Sequence, residues 1–215
     1  MWIFFTGYKR LRDNERKIMN FLVNKIVCAI GCVAKDNNSK LNAKHIAFAA
    51  MALALAVATS MIKVIKLPMG GSVTLFSMLF IVLIGYWYGI KTGLAAALAY
   101  GVLQLLLDPY ILNIPQVLLD YILGFGVLGL SGIFSNSKHG LIKGYIVGVI
   151  GRFICSFLSG WIFFAVYTPE FFNSAILYSI VYNGSYIGLE AAVTLVVISL
   201  PPVNKALAYV KNNLV

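Results

Sequence analysis

Asp120 stands inside Val117-Leu-Leu-Asp-Tyr-Ile-Leu-Gly-Phe-Gly126, a run otherwise apolar enough to cross a bilayer. An acid at the centre of a membrane helix costs about 2.5–3.5 kcal/mol on insertion scales, so it must face a partner, a cavity or a cation. Two further runs carry polar residues at helical spacing. Gln116, Asp120 and Gly124 are four apart, as are Arg152, Ser156 and Gly160, while Asn183, Tyr186 and Glu190 follow at i, i+3 and i+7. Polar faces on three helices cannot all point at lipid, and their common solution is a shared interior site.

Two chemistries fit that site. In one, Arg152 neutralises Asp120 or Glu190 as a buried ion pair and nothing else is bound. In the other, two acids against one base leave about one negative charge, which a cationic ligand completes. The aromatics Tyr110, Tyr121, Trp161, Phe164, Tyr178, Tyr182 and Tyr186 crowd the same helix ends. They could supply cation–π faces and hydroxyl hydrogen bonds. Catalysis has no comparable support. His45 and His139 fall at helix ends away from the acids, and Gly89-Ile-Lys91-Thr92 lacks the glycines of a phosphate loop. No enzyme activity, metal or cofactor is expected.

The elements that would position these residues are membrane helices. The chain has 215 residues, 60% of them hydrophobic and only 11% charged, with a mean hydropathy of +0.88. This composition predicts an all-α integral membrane protein. Apolar runs separate at about 46–66, 73–89, 92–107, 115–135, 141–166 and 174–200, giving six expected transmembrane helices. Turn residues part them, as in Leu67-Pro-Met-Gly-Gly71, Asp108-Pro109 and Thr168-Pro-Glu170.

The net charge of +10 reports topology, not nucleic acid, because the cations are gathered at the N-terminus and in loops. Nine Lys and Arg precede the first run, and Lys91, Lys138, Lys143, Lys205 and Lys211 fall on the same side. Only Lys63 and Lys66 fall opposite, which places both termini in the cytosol by the positive-inside rule. The polar, basic residues 1–42 form an extension that includes an amphipathic stretch, Ile18 to Ala34, suited to lying on the membrane surface. The six-helix domain spans 43–215. Cys28, Cys32 and Cys155 form no metal-ligand pattern. Small residues mark close packing at Gly85, Gly89 and Gly93 and at Gly144 and Gly148. The flat face of Ala50, Ala54 and Ala58 could also dock another membrane protein.

Several ordered blocks resemble a known family. They are Pro68-Met-Gly-Gly-Ser-Val-Thr-Leu-Phe-Ser-Met78, Pro109-Tyr-Ile, Gln116-Val-Leu-Leu-Asp-Tyr121, Gly151-Arg-Phe, Phe157-Leu-Ser-Gly160, Ile162-Phe-Phe164, Tyr167-Thr-Pro-Glu170 and Tyr178-Ser-Ile-Val-Tyr-Asn-Gly-Ser-Tyr186. From Ala43 to Ala208 the chain resembles the thiamine-specific substrate-binding (S) components of energy-coupling factor (ECF) transporters, the ThiT family. The resemblance implies a six-helix S-component fold in the bacterial plasma membrane. A pocket near the outer face, capped by the first outer loop, would bind thiamine with high affinity. A separate transmembrane coupling protein and two ATPase subunits would power uptake, so that ATP is used only by the partners.

By the same resemblance Asp120 is the acidic ligand contact, with Tyr121 beside it and Tyr110 in the second outer loop. Arg152 takes a basic pocket position, Tyr178 and Asn183 are contacts from the last helix, and the alanine face docks on the coupling protein. Glu190, on the polar stripe of that helix, completes the expected site. This chain departs from the family pattern at three positions. Ser156 stands at the place of a histidine, and Phe164 and Gly71 stand where some members carry tryptophans that sandwich the ligand. Trp161 lies one turn from Phe164 on a face rotated by about 60° and is the expected substitute. These departures keep two alternatives open: an S component for another vitamin or a thiamine precursor, and a non-transporting membrane scaffold.

Overall fold

A computed structural model describes residues 43–170 and 172–213. The expected surface helix within residues 1–42, with Cys28 and Cys32, lies outside the described residues.

The first helix, α1 (Ala43–Ser60), is shorter than the apolar run that predicts it. Its last turn is closed by its own side chains, as Thr59 donates to the Leu55 carbonyl at 2.7 Å and Ser60 to that of Val57 at 2.7 Å. Residues 63–66, expected as helix, are instead strand β1 (Lys63–Lys66), paired antiparallel with β2 (Ser72–Thr74). The β-branched pair Val64 and Ile65 favours this, and Pro68-Met-Gly-Gly71 supplies the turn. Gly70 sits at φ +90°, a conformation that side-chain-bearing residues rarely adopt.

Helix α2 (Ser77–Leu107) reverses direction at Gly89, where φ is 82° and ψ 179°. Its two arms, 77–88 and 90–107, correspond to the runs 73–89 and 92–107. They return so closely that a Cβ on Gly93 would lie 2.7 Å from the Gly85 Cα. Helix α3 (Ile114–Phe134) begins at Asn113, whose side chain accepts the Gln116 N–H at 2.8 Å. It widens to π-helical geometry over Leu118–Leu123 and tightens to 3₁₀ geometry over Val127–Phe134. Helices α4 (Gly140–Phe163) and α5 (Ala175–Ser199) follow the last two apolar runs closely.

An unexpected helix, α6 (Pro201–Asn213), ends the described chain. It is pinned by Lys211, which donates to the Ser135 carbonyl and hydroxyl and lies 4.3 Å from the Tyr86 ring centroid.

Among the described residues, four helices are long and apolar enough to cross a membrane, with α2 counted along its full length: α2, α3, α4 and α5. The apolar part of α1, His45–Ser60, is shorter. The faces of these helices are divided as lipid solvation requires. On α4, Ile146, Ile150 and Ile154 are exposed, while Gly144, Tyr145, Gly148, Ser156 and Ser159 are buried. The core between the helices contains Met78, Ile81, Tyr100, Leu128, Tyr145 and Ile198, all essentially without solvent contact. Four of the five glycines expected to pack helices do so, whereas Gly89, where a Cβ would meet nothing within 4 Å, serves the reversal of α2 instead. Gly93 and Gly85 meet each other and Gly129, while Gly144 and Gly148 meet Ser131 and Leu128.

Candidate functional site

At the hairpin end of the bundle the helices part around a cavity of about 450 Å³, within the range of small-molecule sites. Its floor and walls come from α2 to α5, and the β1–β2 turn lies across its mouth.

Asp120 is carried by the π-helical segment of α3, a local widening that recurs at functional sites. Gln116, one turn earlier, fixes it by donating from Nε2 to Asp120 Oδ2 at 2.6 Å. The same amide also ties down the α2–α3 connection. Its Nε2 reaches the Tyr110 carbonyl at 3.2 Å, and its Oε1 accepts the Leu112 N–H at 3.1 Å. Tyr121 completes this support, accepting the Tyr110 N–H at 2.8 Å and donating to the Asp108 carbonyl at 3.0 Å. Tyr110 is thereby presented at the mouth, where its ring stacks on Phe164 at 5.8 Å and 24°.

Arg152 lines the cavity from α4 with its Cζ 3.8 Å from the Phe125 ring centroid, a cation–π contact within the protein. Its Nε and Nη1 are buried without an acceptor among the described residues. The buried Arg152 ion pair that the sequence allowed is not formed. The ion pair seen among the described residues is Lys63 with Asp108, at the mouth.

The fourth wall is α5. Tyr178, Tyr182 and Tyr186 recur every four residues, with successive ring centroids 5.8 Å apart. Asn183 is held between them and α4. Its Nδ2 donates to the Ser179 carbonyl at 3.0 Å, and its Oδ1 accepts the Tyr186 hydroxyl at 2.9 Å. Gly160 permits this approach, because a Cβ there would lie 2.9 Å from Asn183 Nδ2.

Of the residues expected from the sequence, Gly71, Tyr110, Asp120, Tyr121, Arg152, Ser156, Phe164, Tyr178 and Asn183 all line this cavity. Trp161 does not. It is 43% exposed and stacks on Phe157 at 6.3 Å, so the rotation of one turn takes it off the cavity face.

Glu190 does not line the cavity either, although it is buried. Its Oε2 accepts the Thr74 hydroxyl at 2.7 Å and the Thr74 N–H at 3.3 Å. Its Oε1 accepts the Ser77 hydroxyl at 3.1 Å and the Met78 N–H at 3.3 Å. A carboxylate from α5 therefore caps the start of α2, where free N–H groups and the helix dipole favour negative charge. The expected excess of acid over base inside the site accordingly disappears, leaving Asp120 and Arg152 as its interior charges.

Gln116 and Tyr182 matter more than the sequence indicated. Gln116 already stood on the polar stripe with Asp120, and Tyr182 lay in the tyrosine series, so both left a signal. Lys63 and Lys66, read from the sequence only as topology markers, also line the mouth. Ala50, Ala54 and Ala58 form an exposed face on α1.

The sequence profile of the thiamine transporter protein family matches residues 46–209. The thiamine transporter ThiT of Bacillus subtilis (strain 168) is 30% identical over 136 residues, covering 57% of this chain and 70% of the relative. The solved structure of ThiT from Listeria monocytogenes superposes with a TM-score of 0.60 at 24% identity. It covers 74% of this chain and 94% of that one, a likeness of fold. Matched over well more than half its length and sharing the fold, the chain belongs to the thiamine transporter family and is a membrane transporter, not an enzyme.

Proposed function

We propose that this protein is the S component of an ECF-type transporter. In this reading it binds thiamine with high affinity in the cavity around Asp120 and passes it across the membrane with a separate coupling protein and two ATPases. Six spans with both termini in the cytosol put the cavity at the outer face. The alanine face of α1 meets the coupling protein.

The observation that carries this reading is one carboxylate, Asp120, oriented by Gln116 in a cavity walled by tyrosines, Phe164, Asn183 and Ser156, where Arg152 lies over the Phe125 ring and is not paired with the acid. Thiamine has a permanently charged thiazolium, an aminopyrimidine with donors and acceptors, and a hydroxyethyl tail. A carboxylate complements a donor or the cation, and a desolvated ring face adds about 2 kcal/mol of cation–π attraction.

Calorimetry of the purified protein with thiamine tests the reading. Binding in the nanomolar to micromolar range is expected, and absence of heat at concentrations well above that range overturns it. A second reading, an S component for another vitamin or a thiamine precursor, is favoured by the buried Arg152 donors without an acceptor. Lys63 and Lys66 at the mouth also suit a ligand that carries acceptor groups of its own. Competition between thiamine and its isolated pyrimidine half separates the two.

A further inference from the structure

The turn 67–71 that crosses the cavity is held very differently on its two sides. Toward α5, Tyr182 Oη accepts the Gly71 N–H at 3.0 Å and donates to the Pro68 carbonyl. One hydroxyl thus closes both ends of the tightest part of the turn onto the helix. A side chain at residue 71 would have to displace Tyr182, since a Cβ there would lie 2.5 Å from Tyr182 Oη, 3.0 Å from its Cζ and 3.1 Å from the Tyr186 ring. Tyr178 adds only a long contact to Met69 Sδ, at 3.8 Å. Toward the other wall, Gly70 rests against the Tyr110 ring, and the tie is the Lys63–Asp108 pair, whose Asp108 side chain is 52% exposed. An exposed ion pair contributes little, whereas a half-buried hydroxyl that satisfies one backbone donor and one backbone acceptor is costly to remove.

We infer that the Tyr182 hydroxyl is the positioning residue that keeps the turn closed over the cavity and so sets how long a bound ligand stays, and that residue 71 is glycine because a side chain would displace that hydroxyl. The inference deepens the thiamine-binding reading by assigning the residence time of its ligand to one bond pair. It requires no ligand contact from Tyr182 itself.

Hydrogen exchange on the full-length, ligand-free protein tests the latch without any ligand. Tyr182→Phe keeps the ring and removes both bonds. In this variant the Gly71 amide is expected to exchange at least tenfold faster, while the Thr74 and Met78 amides, held by Glu190, stay at their wild-type rates. Gly71→Ala, which displaces the hydroxyl from the other partner, is expected to give the same local signature. An unchanged Gly71 rate in Tyr182→Phe overturns the latch.

The second arm measures thiamine kinetics. Tyr182→Phe is expected to raise the dissociation rate about tenfold and leave the association rate within about twofold. An unchanged dissociation rate, or complete loss of binding, overturns the assignment of residence time. If wild-type protein binds no thiamine, the functional reading falls while the exchange arm still decides whether Tyr182 holds the turn.

Discussion

The same helices behave in opposite ways at their two ends. Away from the cavity, α2 and α3 meet backbone to backbone. A Cβ on Gly129 would lie 2.6 Å from the Gly93 carbonyl carbon and oxygen, and one on Gly93 would lie 2.9 Å from the Gly129 carbonyl oxygen. This seam contains little but glycine and apolar side chains, with Ser131 donating to the Val82 carbonyl at 3.0 Å. At the cavity end the helices separate, and side-chain hydrogen bonds from Gln116, Tyr121, Tyr182 and Glu190 hold loops and walls in place. Lipid provides no hydrophobic gain for helix association, so the seam relies on close packing, and the space left at the other end becomes available to a ligand. One half therefore fixes the fold and the other fixes what is bound.

That division predicts its strongest effect in the seam. Gly129→Val forces a branched side chain into backbone and should cost about 4 kcal/mol or more, enough to prevent folding. The measurement is recovery of monodisperse protein from detergent. Recovery with a wild-type melting curve would show that the seam can open, and the contrast between the halves would fail.

Glu190→Gln crosses the boundary between them, because Glu190 lies at the cavity end yet acts on the fold. Replacing one oxygen by an amide sets a donor either against those of Thr74 or against those of Ser77 and Met78. A loss of about 1–3 kcal/mol of stability follows. Thiamine affinity should change far less than stability. A selective loss of binding with an unchanged melting point would place Glu190 among the ligand contacts instead.

Asp120→Asn is the complementary case. Gln116 can still reach the new side chain, so the ligand-free protein should melt as the wild type does. Thiamine binding, followed by calorimetry, should weaken at least tenfold, or about 1.4 kcal/mol. Wild-type affinity in this variant would make the acid structural and remove the distinction between Asp120 and Glu190.

Much of this arrangement was legible in the chain because lipid imposes simple rules. Apolar runs bounded by Pro, Gly and Asn locate α3, α4 and α5 within a few residues, and the spacing of Gln116 with Asp120 and of Arg152 with Ser156 identifies their cavity faces. The hairpin was not legible, since Val64 and Ile65 read as well as helix as they do as strand until their pairing with Val73 is known. Glu190 was misplaced for a related reason. Helical spacing shows that it shares a face with Tyr186, but not that the start of α2 occupies the space beside it. A stripe on one helix gives direction, and only the neighbouring elements determine whether that direction leads to a ligand or to a cap.

Trp161 offers the smallest expected effect and the finest test of how helical phase divides the two roles. Phe164, which ends α4, lines the cavity and stacks on Tyr110, whereas Trp161 within α4 stacks along the helix on Phe157, away from the lining. Trp161→Phe should therefore leave thiamine affinity unchanged, and thiamine should alter the fluorescence of Trp161 very little. Phe164→Trp moves the indole by three residues, into the mouth, where a bound cation would lie within reach of its ring face. Its fluorescence should then be strongly quenched on thiamine addition, with affinity equal to or somewhat tighter than the wild type, since indole is the best of the aromatic faces for a cation. Strong quenching that disappears in Trp161→Phe would mean that α4 presents a different face to the ligand, and the placement of Ser156 and Arg152 would have to rotate with it.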